Sequence, residues 1–164
     1  MRKQRSSIGI LGGMGPQASA HLVSLLVELS AKEFGAKNCD EFPEIILASI
    51  PVPDFISDKK NKETALEILK HRIKLMDKMN VSIFAIACNT AHILLDQLKL
   101  TSNKSFVSMI DEIVKIVRSA GIKRIGLLAS PTTFQSGLFQ KAFGPERGVW
   151  PERKVYCEAT SLSY

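Results

Sequence analysis

The feature that most constrains this chain is a repeated alternation of short apolar runs with longer segments of helical period. SIGIL (residues 7–11), EIILASI (44–50), VSIFAIA (81–87), SFVSMI (105–110) and RIGLLAS (124–130) read as strands. Between them, Leu22, Leu25, Leu26 and Leu29 recur at the spacing of one helix face, as do Leu66, Leu69, Ile73 and Met76. Ile110, Ile113, Val114 and Val117 mark a further helix that Gly121 is suited to end. A shorter helix is expected over Ala91, Leu94, Leu95 and Leu98, and another after Pro131. Such β-α-β-α order calls for parallel strands joined by crossover helices, which is the α/β class. In parallel sheets ligands collect at the carboxyl ends of the strands. The loops GGMGP (12–16), PVPDF (51–55), CNTAH (88–92) and SPTT (130–133) all leave such ends. The rhythm breaks off after residue 143, where the chain becomes rich in proline, glycine and charge.

Composition narrows the functional classes. Hydrophobic residues make up 45% and charged residues 23%, an ordinary globular balance. No apolar run approaches the roughly 18 residues that span a bilayer, and MRKQRSS leads straight into a strand, unlike a signal peptide. No membrane association and a cytoplasmic location are therefore expected. The net charge of +6 comes from the N-terminal tip (Arg2, Lys3, Arg5), one loop (Lys59, Lys60, Lys62) and scattered helix positions. No aromatic residues interleave with these cations, so a solvated surface is expected rather than a nucleic-acid partner. Three widely spaced cysteines, Cys39, Cys88 and Cys157, suggest neither a disulfide framework nor a zinc site.

Gly13-x-Gly15-x-x-Ala18 fits the loose dinucleotide fingerprint, which also wants an acidic residue at the end of the second strand. Asp40 and Glu41 have about the right distance in sequence but precede that strand. Two readings of the loop stay open: a tight strand-to-helix turn, and a small-anion site at a helix amino terminus. Cys88 ends the third apolar run just before Asn89 and Thr90, which are good helix-capping residues. A thiol at a helix amino terminus is expected to favour the thiolate, the form that acts as base or nucleophile. A buried packing role is the competing reading, because free cysteine is among the most buried residue types. His92, about one helical turn on, is a candidate partner for the thiol, although a single histidine near a helix start more often caps or packs.

Taken in order, GGMGP, the Pro-Asp loop, ACNTAH and GLLAS-x-T-T-x-x-SGLF resemble the aspartate/glutamate racemase family, amino-acid racemases that work without pyridoxal phosphate. The resemblance covers residues 8–143. It implies a cofactor-independent isomerase in which a cysteine thiolate removes the α-proton of an amino acid and a second thiol on the opposite face returns it. Cys88 matches the first cysteine. Asn89, Thr90, Thr132 and Thr133 match carboxylate-binding positions, and Met14 and Gly15 match the loop that closes over the substrate. Family members have two α/β lobes and are often homodimers. The expected organisation is a nearly complete first lobe over residues 1–103 and an incomplete second lobe over 104–164.

Two departures qualify the resemblance. Phe55 follows Pro53-Asp54 where aspartate racemases of this type carry an arginine, the residue suited to bidentate carboxylate recognition. The second cysteine of the family lies in βα elements beyond the length of this chain, so a C-terminally truncated member is expected. Cys157 follows Cys88 too closely to match that second cysteine and reads as a stray thiol in a divergent tail. The alternative to a racemase is therefore a catalytically impaired member that binds a small carboxylate or a partner chain.

Overall fold

The computed structural model describes residues 7–144 apart from Ser57. At its centre lies β1 (Ser7–Gly12), flanked on one side by β2 (Glu44–Ser49) and on the other by β3 (Ile83–Ile86). Beyond β3 lies β4 (Ser105–Val107), giving a four-stranded parallel sheet of order β2-β1-β3-β4. Four of the five expected strands are thus present: β1 and β2 match their apolar runs to within one residue, β3 to within two, and β4 stops three residues short because α4 begins at Met109. The ladder sets Leu11 beside both Ala48 and Ile86. All three strands therefore end at one edge, where Ile50 N–H donates to the Gly12 carbonyl and Ala87 N–H to the Leu11 carbonyl. The chain leaves β1 toward β2 in one direction and returns past it to β3 in the other. The gap between the loops after β1 and β3 is thus a topological switch point, where parallel sheets form crevices.

The helices follow the apolar periodicity. The largest face is that of α2 (Lys62–Asp77), which buries Ala65, Leu66, Leu69, Ile73 and Met76 in the main cluster with Leu11, Phe84, Ile86 and Cys88. Phe84 stacks on Phe106 of β4 with ring centroids 4.9 Å apart. The expected helix after β3 opens as a tight 3₁₀ turn, Thr90–Leu94, before continuing as α3 (Leu95–Lys99). A second cluster is built by Ile110 and Val114 of α4 (Met109–Ser119), together with Phe139 and Phe143 of α6 (Leu138–Phe143). Gly121 ends α4 as expected, at φ 67°, with Ile122 N–H donating to the Val117 carbonyl and Gly121 N–H to that of Arg118. Ser130 caps α5 (Pro131–Ser136), and Pro131 sits at the first helical position.

Two expectations are corrected. Residues 124–130 do not form a fifth strand: only Ile125 makes an isolated bridge, and Leu128 is 98% exposed. Ile125 and Leu127 do alternate inward onto the second cluster, so the apolar pattern reports burial truly. A strand also needs a neighbour on its ladder, and local pattern carries no information about one. The other correction concerns α1 (Pro16–Phe34), whose leucine face is real but thinly covered. Leu22 and Leu26 are half-buried, whereas Leu25 and Leu29 are exposed, and Ser19 is the helix's only buried residue.

Burial predicts a contrast between the two helices. Leu69→Ala, at a fully buried position, is expected to lower stability by about 2–5 kcal/mol. Leu29→Ala, 44% exposed, should cost less than about 1 kcal/mol. Urea unfolding of the two variants beside the parent checks this, and equal losses would contradict the packing described.

Candidate functional site

Three loops meet at the carboxyl edge of the sheet, each shaped by its own sequence. In the first, Gly13 has φ 89° and a Cβ there would lie 2.3 Å from the Ile50 backbone nitrogen, so only glycine lets the two loops approach. Ser19 closes this loop, its Oγ accepting from Gly13 N–H at 3.0 Å and donating to the Gly15 carbonyl at 3.2 Å. Gly15 is exposed, and Met14 packs against the main cluster. The Gly13 N–H thus serves the turn itself, which favours the tight-turn reading of this loop. Glu41, one of the acidic residues expected to matter for a dinucleotide, lies before β2, at the opposite edge of the sheet. Its carboxylate is held below the usual range by the N–H groups of Lys37 and Asn38, which it caps.

In the second loop, Asp54 accepts from Ile56 N–H at 2.8 Å, a local turn that directs Phe55 inward. Phe55 is 2% exposed and belongs to the main cluster. The position where an arginine would hold a side-chain carboxylate is therefore filled by a core residue.

The third loop carries the thiol. Cys88 is buried in the main cluster. The expectation of a favoured thiolate is corrected: burial pushes the Cys88 thiol above its ordinary value, outweighing the opposing pull of the Ala91 and Thr90 N–H groups. The turn does supply donors to sulfur, but desolvation is the larger effect. His92 does not act as the thiol's partner. Its Nδ1 lies 2.9 Å from the Cys88 carbonyl and its Nε2 accepts from Met109 N–H at 3.1 Å, so the capping and packing role prevails. Burial also lowers the readiness of His92 to take a proton.

The fourth loop folds back onto the third. Thr90 Oγ1 lies 2.8 Å from Thr133 Oγ1 and 3.2 Å from Ser130 Oγ, and Ser130 Oγ donates to Thr133 Oγ1 at 3.0 Å. The three hydroxyls form a closed ring, with Thr90 and Thr133 buried. Thr132 reaches the second loop instead, its hydroxyl donating to the Ile56 carbonyl. The four carboxylate-binding candidates therefore divide. Thr90 and Thr133 touch directly, Thr132 ties two loops together, and Asn89 stands apart. Asn89 Oδ1 is shielded from solvent and finds no hydrogen-bond donor among the described residues. Asn89 lines a cleft of about 320 Å³ with Ile113, Val117, Phe139 and Phe143 of the second cluster.

Sequence reasoning missed Ser19 and Ser130. Ser130 had a visible signal, since a serine directly before proline at the head of a helix is a capping pattern. Ser19, buried inside a helix otherwise solvated, had none. Cys39 precedes β2 and so lies at the amino edge of the sheet, away from Cys88; Cys157 lies outside the described residues. Among the described residues no group of three or more His, Cys, Asp or Glu side chains is placed to hold a metal ion, and no helix is long and apolar enough to cross a membrane.

Residues 11–155 match the family model described as Asp/Glu/Hydantoin racemase. The broad specificity amino-acid racemase RacX of Bacillus subtilis (strain 168) is 29% identical over 136 residues, covering 82% of this chain and 59% of that protein. The aspartate racemase of Picrophilus torridus superposes with a TM-score of 0.76 at 26% identity, over 90% of this chain and 63% of that one. PH1733, an aspartate racemase homologue from Pyrococcus horikoshii OT3, gives 0.74 at 25% identity, over 89% and 64%. The chain thus spans 59% to 64% of the length of these relatives.

The state of Cys88 makes a prediction. A thiol raised by burial should be alkylated slowly at neutral pH, with a rate that climbs at higher pH than for an unfolded reference. Linkage has the same sign: stability from the buried neutral thiol is present below the unfolded pKa and is lost as pH rises through the folded one. Iodoacetamide labelling across pH, with Cys88 distinguished from Cys39 by peptide mass spectrometry, measures the profile. A midpoint at or below that of the unfolded chain would contradict the burial described.

Proposed function

The chain belongs to the Asp/Glu/hydantoin racemase family, and we propose from that premise that it acts on the α-carbon of an amino acid as a cofactor-independent racemase. Cys88 is the base. Its thiolate takes the α-proton to form S–H, and the electron pair left on carbon delocalises into the substrate carboxylate. Return of a proton to the same face restores the original enantiomer, and delivery to the opposite face inverts it. The α-proton is weakly acidic, so developing charge on the carboxylate must meet fixed donors. Asn89, Thr90, Thr132 and Thr133 are assigned to that binding, and Met14 and Gly15 to the loop above the substrate.

The observation that carries this reading is the convergence at Cys88. A buried thiol stands at the carboxyl edge of the sheet, beside the switch point, with the Thr90 and Ala91 N–H groups turned toward it. The hydroxyl ring then brings Thr133 of the fourth loop against the same turn. The family membership and the similarity to amino-acid racemases support the reaction class. Phe55 in the core supports a substrate without an arginine-held side-chain carboxylate, in keeping with a relative of broad specificity rather than with strict aspartate use. Among the described residues Cys88 is the one thiol at this edge, so the exchange half-reaction is the activity assigned to it.

In this reading the chain comprises a first lobe through residue 103 and part of a second from residue 104. The two apolar clusters support a division into two parts, but β4 pairs into the first sheet and Phe106 packs on the main cluster, which favours a boundary after residue 107 rather than at 103. A cytoplasmic homodimer completes the proposal, supported by free thiols and by the apolar side chains exposed on α1.

The test is α-deuterium uptake in deuterium oxide over a panel of L-amino acids, with chiral analysis of the products. Uptake is expected for at least one substrate, and Cys88→Ser should reduce it by at least about a hundredfold. The rate of the parent should rise with pH into the alkaline range, because the active form is the minority thiolate. Equal uptake with both proteins removes Cys88 from the chemistry. Tight carboxylate binding without exchange would instead identify a binding member of the family.

A further inference from the structure

We propose that His92 is a positioning residue for Cys88: its Nδ1–H holds the Cys88 carbonyl and thereby sets the peptide plane that follows the thiol, while its Nε2 ties the same turn to the amino terminus of α4. This deepens the reading of Cys88 as base and rests on it for its catalytic consequence.

His92 is 3% exposed, and both ring nitrogens are engaged. The Met109 amide can only donate, so Nε2 accepts and the ring proton resides on Nδ1, which donates to the Cys88 carbonyl. Met109 opens α4, and its N–H is one of the amides that no residue within the helix can satisfy. Ser108 caps the same helix end through Asp111 N–H at 3.1 Å. Two side chains therefore close the start of α4, and one of them reaches across from the turn that bears Cys88.

The consequence follows from peptide planarity. In a trans peptide the carbonyl of Cys88 and the N–H of Asn89 point in opposite directions, so holding one orients the other. That plane leads into Thr90 and Ala91, whose N–H groups lie against the thiol. The turn is thus anchored twice by elements beyond residue 103. The hydroxyl ring fixes Thr90 to α5, and His92 fixes the Cys88 carbonyl to α4. A shift of the second cluster relative to the sheet would reach the thiol through these two anchors.

Two variants separate the bonds of His92. In His92→Gln the longer amide accepts from Met109 N–H and gives up the Cys88 carbonyl. In His92→Asn, the conservative rescue, the shorter amide donates to the Cys88 carbonyl and gives up Met109. Cys88 alkylation by iodoacetamide across pH, read by peptide mass spectrometry on protein shown folded by circular dichroism, needs no activity. His92→Gln should change the Cys88 rate at fixed pH by about tenfold and lower kcat for α-deuterium exchange by a similar factor with KM unchanged, whereas His92→Asn stays within about twofold of the parent. Nitrogen-15 NMR of the parent should show Nε2 of His92 as the unprotonated nitrogen. A proton on Nε2, an unchanged thiol profile in folded His92→Gln, or an equal change in both variants overturns the proposal. If Cys88→Ser retains full exchange while His92→Gln still alters alkylation, the base assignment fails and the positioning role stands.

Discussion

The pairing of β1 with β2 and β3 is the constraint from which the rest follows. Leu11 lies between Ala48 and Ile86 in one parallel ladder, so the three strands must release their loops at the same edge. A slip of one residue would turn Ile10 and Leu11 inside out and break the core with α2. The close approach of Gly13 to Ile50 depends on the same register, because a side chain at Gly13 would meet the Ile50 backbone. A burial pattern set by backbone hydrogen bonds thus decides which side chains meet at the edge.

That edge places two physical effects in opposition at one atom. The turn after β3 offers N–H groups to the Cys88 sulfur, which favours the anion. The apolar cluster that holds the turn in place withdraws water from the same sulfur, which disfavours it. Burial is the larger effect. In the role proposed for Cys88, a thiol kept neutral by burial is the more strongly basic once deprotonated. That property suits the removal of a weakly acidic carbon-bound proton.

Much of this was legible in the residues because it is local. Ser7–Gly12, Glu44–Ser49 and the face of α2 are visible as periodic apolar residues, and Pro131 and Gly121 mark helix ends by their backbone preferences. Residues 124–130 misled because strand pairing is a contact between distant segments, and the sheet forms without them. The exposure of Leu25 and Leu29 was equally hidden, since periodicity shows that a helix has a face and not what covers it. At the site, the location of Cys88 was readable but its protonation state was not, because desolvation depends on side chains gathered from α2, β1 and the 3₁₀ turn. Ser19 and the bridging bonds of His92 and Thr132 link residues whose proximity exists only in the folded chain.

The hydroxyl ring carries the last step. Ser130, Thr90 and Thr133 have three hydroxyl protons, and a cyclic arrangement uses all three internally, with Ser130 also accepting from Thr133 N–H. As it stands the ring presents lone pairs and no free donor. A carboxylate bound through Thr90 or Thr133 must therefore replace one internal bond, at a net cost of about 1 kcal/mol, with a charge-assisted bond worth about 1.5–3 kcal/mol. The exchange is favourable only for an anion, since a neutral oxygen would gain little over the bond it displaces. In the role proposed for Thr90 and Thr133, the ring would thus favour an anion over a neutral ligand, and its hydrogen bonds hold the third and fourth loops together.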